Sequence, residues 1–315
     1  MGCCLNMLEA EKIRVMLRQG GIARAVVINS CAVTNEALRQ SRQQFHKVIR
    51  ENPDVPVFIT GCGVTLKPGD FIARFVDTPP VIDGVGSDAA WAQAEWQPIA
   101  EEWMYNTPPN ITPVKSPADF SGKFKAVWTA DRLYILAEIT DDVISTTNTN
   151  PYVSPENNDC LELFIDHNES GGPRSNENGS NFFTYHLSFN GNNASDYIGT
   201  PNNTTTTDIT QRIENGFILR NSHVNYTIGK TPPVYTWEIE MKVYDNTYPA
   251  RSNPDTTPVT LTGGKMGFAV AYCDADAKNT REHFIGSMPL TGATDDERNK
   301  AYRDSTEYAK IHLVK

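Results

Sequence analysis

No stretch of the chain approaches the ~20 consecutive apolar residues that a bilayer-spanning helix requires. The first residues also lack the basic-then-apolar order of a secretory leader. Taken with Met1 as the true start, these absences predict a cytoplasmic chain without a membrane partner. Excess positive charge is missing too: 28 Lys and Arg stand against 38 Asp and Glu, a formal net charge of −10. That balance excludes a general nucleic-acid binder, because nothing broadly attracts phosphate. Neither GxSxG nor HExxH occurs. Carboxylates do pair, Asp274 with Asp276 and Glu156 with Asp159, at spacings that fit loops as well as acid–base work. No segment repeats, and a monomer is expected.

Cysteine is scarce and unevenly placed. Cys3, Cys4, Cys31 and Cys62 lie early, and Cys160 and Cys273 are the two that follow. Charge divides at the same place: residues 1–76 carry 10 Lys and Arg against 6 Asp and Glu, the remainder 18 against 32. A joint shift of this kind predicts two units, residues 1–76 and 77–315.

What is present differs between them. In the first unit, Leu5 to Arg18 has apolar residues at helical spacing and stops at Gly20-Gly21. Ala25 to Asn29 reads as a buried strand. Thr34 caps a helix running to Glu51, Pro53 ends it, and Val55 to Thr60 is a second strand. Strand, helix and strand in that order predict a parallel pair.

After Pro68-Gly69 the texture changes, and Asp77-Thr-Pro-Pro80 reads as a linker. Strands then dominate, separated by loops rich in Asn, Gly, Thr and Pro. Phe124 to Ile139 reads as a hairpin turning near Ala130-Asp131. Asp159–Asp166, Phe182–Asn190, Tyr235–Tyr244, Met266–Cys273 and Ile311–Val314 are further strands. Many short strands with long polar loops predict a mainly β chain, an antiparallel sandwich behind a small α/β segment. Trp128, Trp237, Phe164 and Phe268 sit at strand centres, where burial is expected, and Trp91 is assigned to the core as well.

Pro80-Val-Ile-Asp-Gly84, Asp88-Ala-Ala-Trp91, FSGKFKAVWTADRLYILAEITDD, NDCLELFIDHNESGG, YTWEIEMKVYD, KMGFAVAYCDAD and YRDSTEYAKIHLV follow one another in order. Over residues 79–315 this series resembles carbohydrate-binding module family 9 and its secreted bacterial relatives. The resemblance implies non-catalytic binding of an oligosaccharide or polysaccharide in a secreted or periplasmic setting. It also implies a slot in which aromatic rings sandwich a terminal sugar and polar groups bond its hydroxyls. Carried across, Glu162 matches the acid of the DxxE strand, His186 a hydroxyl-binding position and Arg281 a common arginine. Tyr302 falls where relatives carry a late Trp. The family's other ring lies shortly before the DxxE strand, where this chain has Glu156, and Tyr152 is the nearest ring. A one-ring slot binds more weakly, each stacked face contributing on the order of 1 kcal/mol. The residues themselves leave open that Glu162 pairs with Arg281 without a ligand, and that His186 faces solvent.

Calcium is a second implication of the resemblance, with Asp141, Asp142 and Asp166 supplying the hard oxygens it prefers. Related sandwiches also bind haem through Met and His, for which Met241 and His186 are the strand-borne candidates.

In the first unit, Gly2-Cys-Cys-Leu-Asn6, Asn29-Ser-Cys-Ala-Val-Thr34 and Thr60-Gly-Cys62 resemble the N-terminal domain of tRNA methylthiotransferases. There three cysteines hold a 4Fe-4S cluster, and the matching positions are Cys3, Cys31 and Cys62. Unligated buried thiols remain the alternative. The chain begins at Met1-Gly2, without the strand expected before GCxLN, and has no radical-SAM CxxxCxxC motif. The segment therefore reads as a fragment, a genuine fusion or a chimeric reading frame. An enzyme acting with partners in trans is the alternative function.

Overall fold

Period-two alternation governs most of the chain, and a computed structural model shows what it builds. The structure describes residues 26–29, 57–60, 67–105, 116–147, 155–173, 182–189, 195–197, 217–219, 224–246, 257–277, 280–292, 294–298 and 300–315. Two compact units result, residues 1–67 and 68–315.

In the smaller unit, β1 (Val26–Asn29) and β2 (Val57–Thr60) run parallel, Val26 opposite Val57 and Asn29 opposite Thr60. This is the pairing that a strand–helix–strand order requires. The helices expected over 5–18 and 34–51 lie outside the described residues, as do Cys3, Cys31 and Cys62.

The larger unit contains β3 (Phe71–Phe75), β4 (Gln97–Ile99), β5 (Glu101–Tyr105), β6 (Phe120–Trp128), β7 (Leu133–Asp141) and β8 (Cys160–Asp166). It continues with β9 (Phe183–Ser188), β10 (Ser195–Tyr197), β11 (Phe217–Leu219), β12 (Val224–Thr231) and β13 (Val234–Met241). It ends with β14 (Gly264–Asp274), β15 (His283–Gly286) and β16 (Ala309–Val314). The hydrogen-bonded path runs β11-β10-β9-β8-β14-β16-β3-β6-β7-β13-β12, with β15 and β4 joining β14 and β6 from the side. One departure from an antiparallel sandwich is β3, which pairs parallel with both β16 and β6. Residues 71–75, assigned from composition to the first unit, thus belong to this sheet.

The path folds over on itself around one core. From β8, Leu161, Leu163 and Ile165 point inward; from β14, so do Phe268, Val270 and Tyr272. They meet Phe124, Trp128, Ile135 and Trp237 of the other layer. Phe120 stacks on Tyr272 at 5.2 Å, and Phe189 meets the edge of Trp237 at 5.0 Å. Trp91, Trp128, Trp237, Phe164 and Phe268 are all buried, as their strand-centre or core placement predicted. The hairpin closes through Thr129 N–H donating to Arg132 O, within the expected turn.

The opening motifs are anchored by one carboxylate. Glu238, fully buried on β13, accepts from Asp83 N, Gly84 N and the Trp91 indole at 3.1, 2.8 and 2.8 Å. Gly84 has a φ of 82° and packs so close to β12 that a Cβ on Gly229 would sit 2.0 Å from Gly84 O. Close backbone approach is what glycine permits here.

Candidate carbohydrate-binding site

Alternation sends Cys160, Glu162 and Phe164 away from the main core, onto the outer face of β8. That face is covered as well, by Trp103 of β5, Phe284 of β15 and Tyr308, so β8 is buried throughout. Polar groups placed here must find partners, since unsatisfied ones are costly.

Glu162 finds them. Its cross-strand neighbour on β9 is His186, whose Nε2 lies 3.1 Å from Glu162 Oε1. On its other side the opposing residue is Ala271, and the small side chain leaves space for the carboxylate. Cys273, two positions beyond Ala271, donates its thiol hydrogen to Glu162 Oε1 at 3.0 Å. Burial pushes the Glu162 carboxyl up, but His186, Cys273 and Arg281 together hold it below the usual carboxylate range. Burial likewise pulls His186 down, and Glu162 with Glu156 more than reverses it, raising the imidazole above its ordinary value.

Arg281 enters between β14 and β15. Its Nη1 donates to Cys273 Sγ at 3.5 Å and its Nη2 to Met104 Sδ at 3.2 Å, with the guanidinium 4.6 Å above the Phe284 ring. Cys273 therefore stands between Arg281 and Glu162, where sequence reasoning considered a direct pair. Tyr302, half-buried, packs against the same outer cluster. The Arg303 guanidinium lies 4.8 Å from the Tyr302 ring, and its Nε donates to the Tyr302 hydroxyl. Tyr152 lies outside the described residues.

Sequence reasoning missed Cys160, Cys273 and Met104 as members of this array, and read Glu156 as a replaced ring rather than as a charge acting on His186 and Arg281. Alternation alone places Cys160 beside Glu162; the positions opposite them require the strand register.

The expected calcium set is not one site. Asp141 closes β7, whereas Asp166 ends β8, seven residues from Asp159 and hence roughly 23 Å away along the strand. Asp166 instead accepts from Ser170 N, Gly171 N and Ser305 Oγ at 3.2, 2.9 and 2.9 Å, which ties down the following turn. Asp142 gathers with Asp119 and Asp276. Buried Asp141 meets Asp159 and Asp274, with carboxylate oxygens within 4.8 Å of one another. Burial, reinforced by Asp141's charge, pushes Asp159 up to about 9, and Asp141 itself rises to about 6. Met241 and His186 cannot share a haem: Met241 is in the inner core, while His186 leaves β9 on the opposite face from core residues Tyr185 and Leu187.

With that geometry in place, comparison decides the family of the larger unit. The description "Carbohydrate family 9 binding domain-like" matches residues 82–315. The chain belongs to this family. Among solved structures, the family 9 module of Caldicellulosiruptor kristjanssonii is similar in its complexes with cellotriose and with glucose. Identity is 20% and 21%, the match covers 78% of this chain and 93% and 95% of that one, and the TM-score is 0.49 in both. A putative carbohydrate-binding protein from Bacteroides uniformis matches at 11% identity over 78% of this chain and 98% of that one, with a TM-score of 0.43.

Residues 1–83 match the uncharacterized protein family UPF0004. Threonylcarbamoyladenosine tRNA methylthiotransferase MtaB of Rickettsia prowazekii is 40% identical over 67 residues, 21% of this chain and 16% of that protein. The Bacillus subtilis protein of the same name is 35% identical over 81 residues, 23% and 18% of the two chains. The chain thus spans less than a fifth of the length of these curated relatives. No helix among the described residues is long and apolar enough to cross a membrane.

Proposed function

We propose that the family 9 unit binds the end of an oligosaccharide or polysaccharide and performs no chemistry on it. The observation that carries this reading is the Glu162–His186–Arg281 array on the outer face of β8, β9 and β14. Glu162 is the buried acceptor that holds His186 in place, and His186 and Arg281 are donors suited to fixing hydroxyl orientation through charge-assisted bonds. Tyr302 supplies one apolar face for a pyranose, with Arg303 stacked on it. Thermal unfolding of the full chain with xylo-, cello- and manno-oligosaccharides tests this. A binding sugar raises Tm as RT ln(1 + [L]/Kd); no shift with any of them speaks against the reading. A secreted or periplasmic setting goes with a polysaccharide ligand.

Calcium belongs to the same proposal, at Asp141, Asp159 and Asp274. The residues fit it: all three carboxylates are buried, their oxygens are the hard donors calcium takes, and the buried Ser145 Oγ beside Asp159 has no hydrogen-bond partner. Bound there, the ion would neutralise the carboxylates and fix the ends of β7, β8 and β14.

For residues 1–67 the proposal is an iron–sulfur segment, with Cys3, Cys31 and Cys62 as its thiolates. The chain has no CxxxCxxC motif to hold a second, radical-generating cluster.

A further inference from the structure

Two cysteines have no part in the sugar reading, and the sheet puts them together. Cys160 precedes Glu162 by two residues, so both side chains leave β8 on one face. Cys273 is the direct cross-strand neighbour of Cys160 on β14. The Sγ atoms of Cys160 and Cys273 and a Glu162 oxygen lie within 4.8 Å of one another, and all three residues are at most 2% exposed. Neither cysteine is in a disulfide. Tetrahedral zinc, with bonds of about 2.3 Å to sulfur and 2.0 Å to oxygen, spaces its ligand atoms by roughly 3.3–3.8 Å. Cys273 Sγ and Glu162 Oε1 are at 3.0 Å, and the other pairs lie within 4.8 Å, so a contraction of at most about 1 Å brings them to that spacing.

We propose that Cys160, Cys273 and Glu162 bind a thiolate-preferring divalent cation, with zinc as its representative, while His186 and Arg281 hold the ligands in place. Charge supports the assignment. Two thiolates and a carboxylate around a dication leave one negative charge, which the buried Arg281 guanidinium and the His186 imidazole beside Glu162 offset. Arg281 Nη1 already donates to Cys273 Sγ, and His186 Nε2 sits on Glu162 Oε1. Partners of this kind fix the orientation of metal ligands. Two sulfurs in a set of three disfavour calcium and magnesium, which take oxygen. Binding converts two thiols to thiolates and releases their two protons to solvent.

The experiment uses the full chain, loaded with zinc and passed through a desalting column. Metal analysis is expected to show one more zinc per chain in wild type than in Cys273→Ala. A chain carrying Cys3→Ala, Cys4→Ala, Cys31→Ala and Cys62→Ala leaves the sandwich untouched and removes competing thiols. X-ray absorption at the zinc edge of that chain should show two sulfur neighbours at about 2.3 Å. Absence of zinc from it, or a shell of oxygen and nitrogen alone, overturns the proposal. So does recovery of Cys160 and Cys273 as a disulfide-linked peptide from zinc-loaded protein. Zinc retained by a chain that binds no sugar leaves the proposal standing and counts against the sugar reading alone.

Discussion

Glu162 and His186 face one another across β8 and β9, the imidazole Nε2 3.1 Å from the carboxylate Oε1, on a face covered by a second layer of aromatic residues. A buried pair of this kind makes both partners depend on each other, because removing either leaves the other uncompensated.

The pair gives a pH signature of determined sign. His186 has a folded pKa above its unfolded value, so its contribution is complete below about pH 6.5 and is lost as pH rises through the folded value. Glu162 has a folded pKa below its unfolded value, so its contribution is complete above about pH 4.3 and is lost as pH falls through the folded value. A double-mutant cycle of Glu162→Gln and His186→Asn, read by urea unfolding, should show greater coupling near pH 5.5 than near pH 9. Equal coupling at both would contradict the pairing.

Glu238 ties the opening motifs to β13 through three donors. Glu238→Ala should destabilise the unit by about 2–3 kcal/mol, the cost of leaving buried donors unsatisfied. Sugar affinity per folded molecule should stay unchanged in calorimetry.

Gly229→Ala places a methyl group 2.0 Å from Gly84 O. The expected cost is about 1–3 kcal/mol, seen as a lower Tm, because the contact is with backbone that cannot swing aside. Gly172→Ala is the contrasting control: nothing lies within 4 Å of its Cβ, and its strain is confined to a φ of 83° in a half-buried bend.

The buried aspartates predict a calcium effect that grows with pH. Unfolded, Asp159 ionises near pH 3.9; folded, it does so at about 9, and Asp141 at about 6. The native state therefore resists a charge that the unfolded chain accepts freely, and stability falls as pH rises between those values. In chelator, Tm should drop between about pH 5 and pH 8, and millimolar calcium should restore most of that loss. Asp159→Asn should flatten both responses. An unaltered Tm on adding calcium near pH 8 would contradict the site.

Strand alternation made the sandwich legible, because an aromatic at a strand centre such as Trp237 has few destinations but the core. The β6–β7 hairpin was legible from its turn residues. What alternation could not reveal was register. Cys160 and Cys273 are 113 positions apart, and nothing local announces that β8 and β14 will set them opposite each other. Register also separates Asp166 from Asp141, two acids whose strands and chemistry look equally suited to calcium. β3 escaped notice because FIARF is short and pairs parallel with strands distant in sequence. That Glu162, His186 and Arg281 belong together was an implication of the family resemblance, whereas the thiol between Glu162 and Arg281 required the fold.

Carbohydrate binding is tested by isothermal titration of the full chain against the oligosaccharide that most raises Tm, with Glu162→Gln alongside. Wild type should give a saturable heat and the variant at least tenfold weaker binding, about 1.4 kcal/mol. Undiminished binding by Glu162→Gln would place the sugar elsewhere on the molecule, and absence of binding in wild type would remove carbohydrate recognition from this chain.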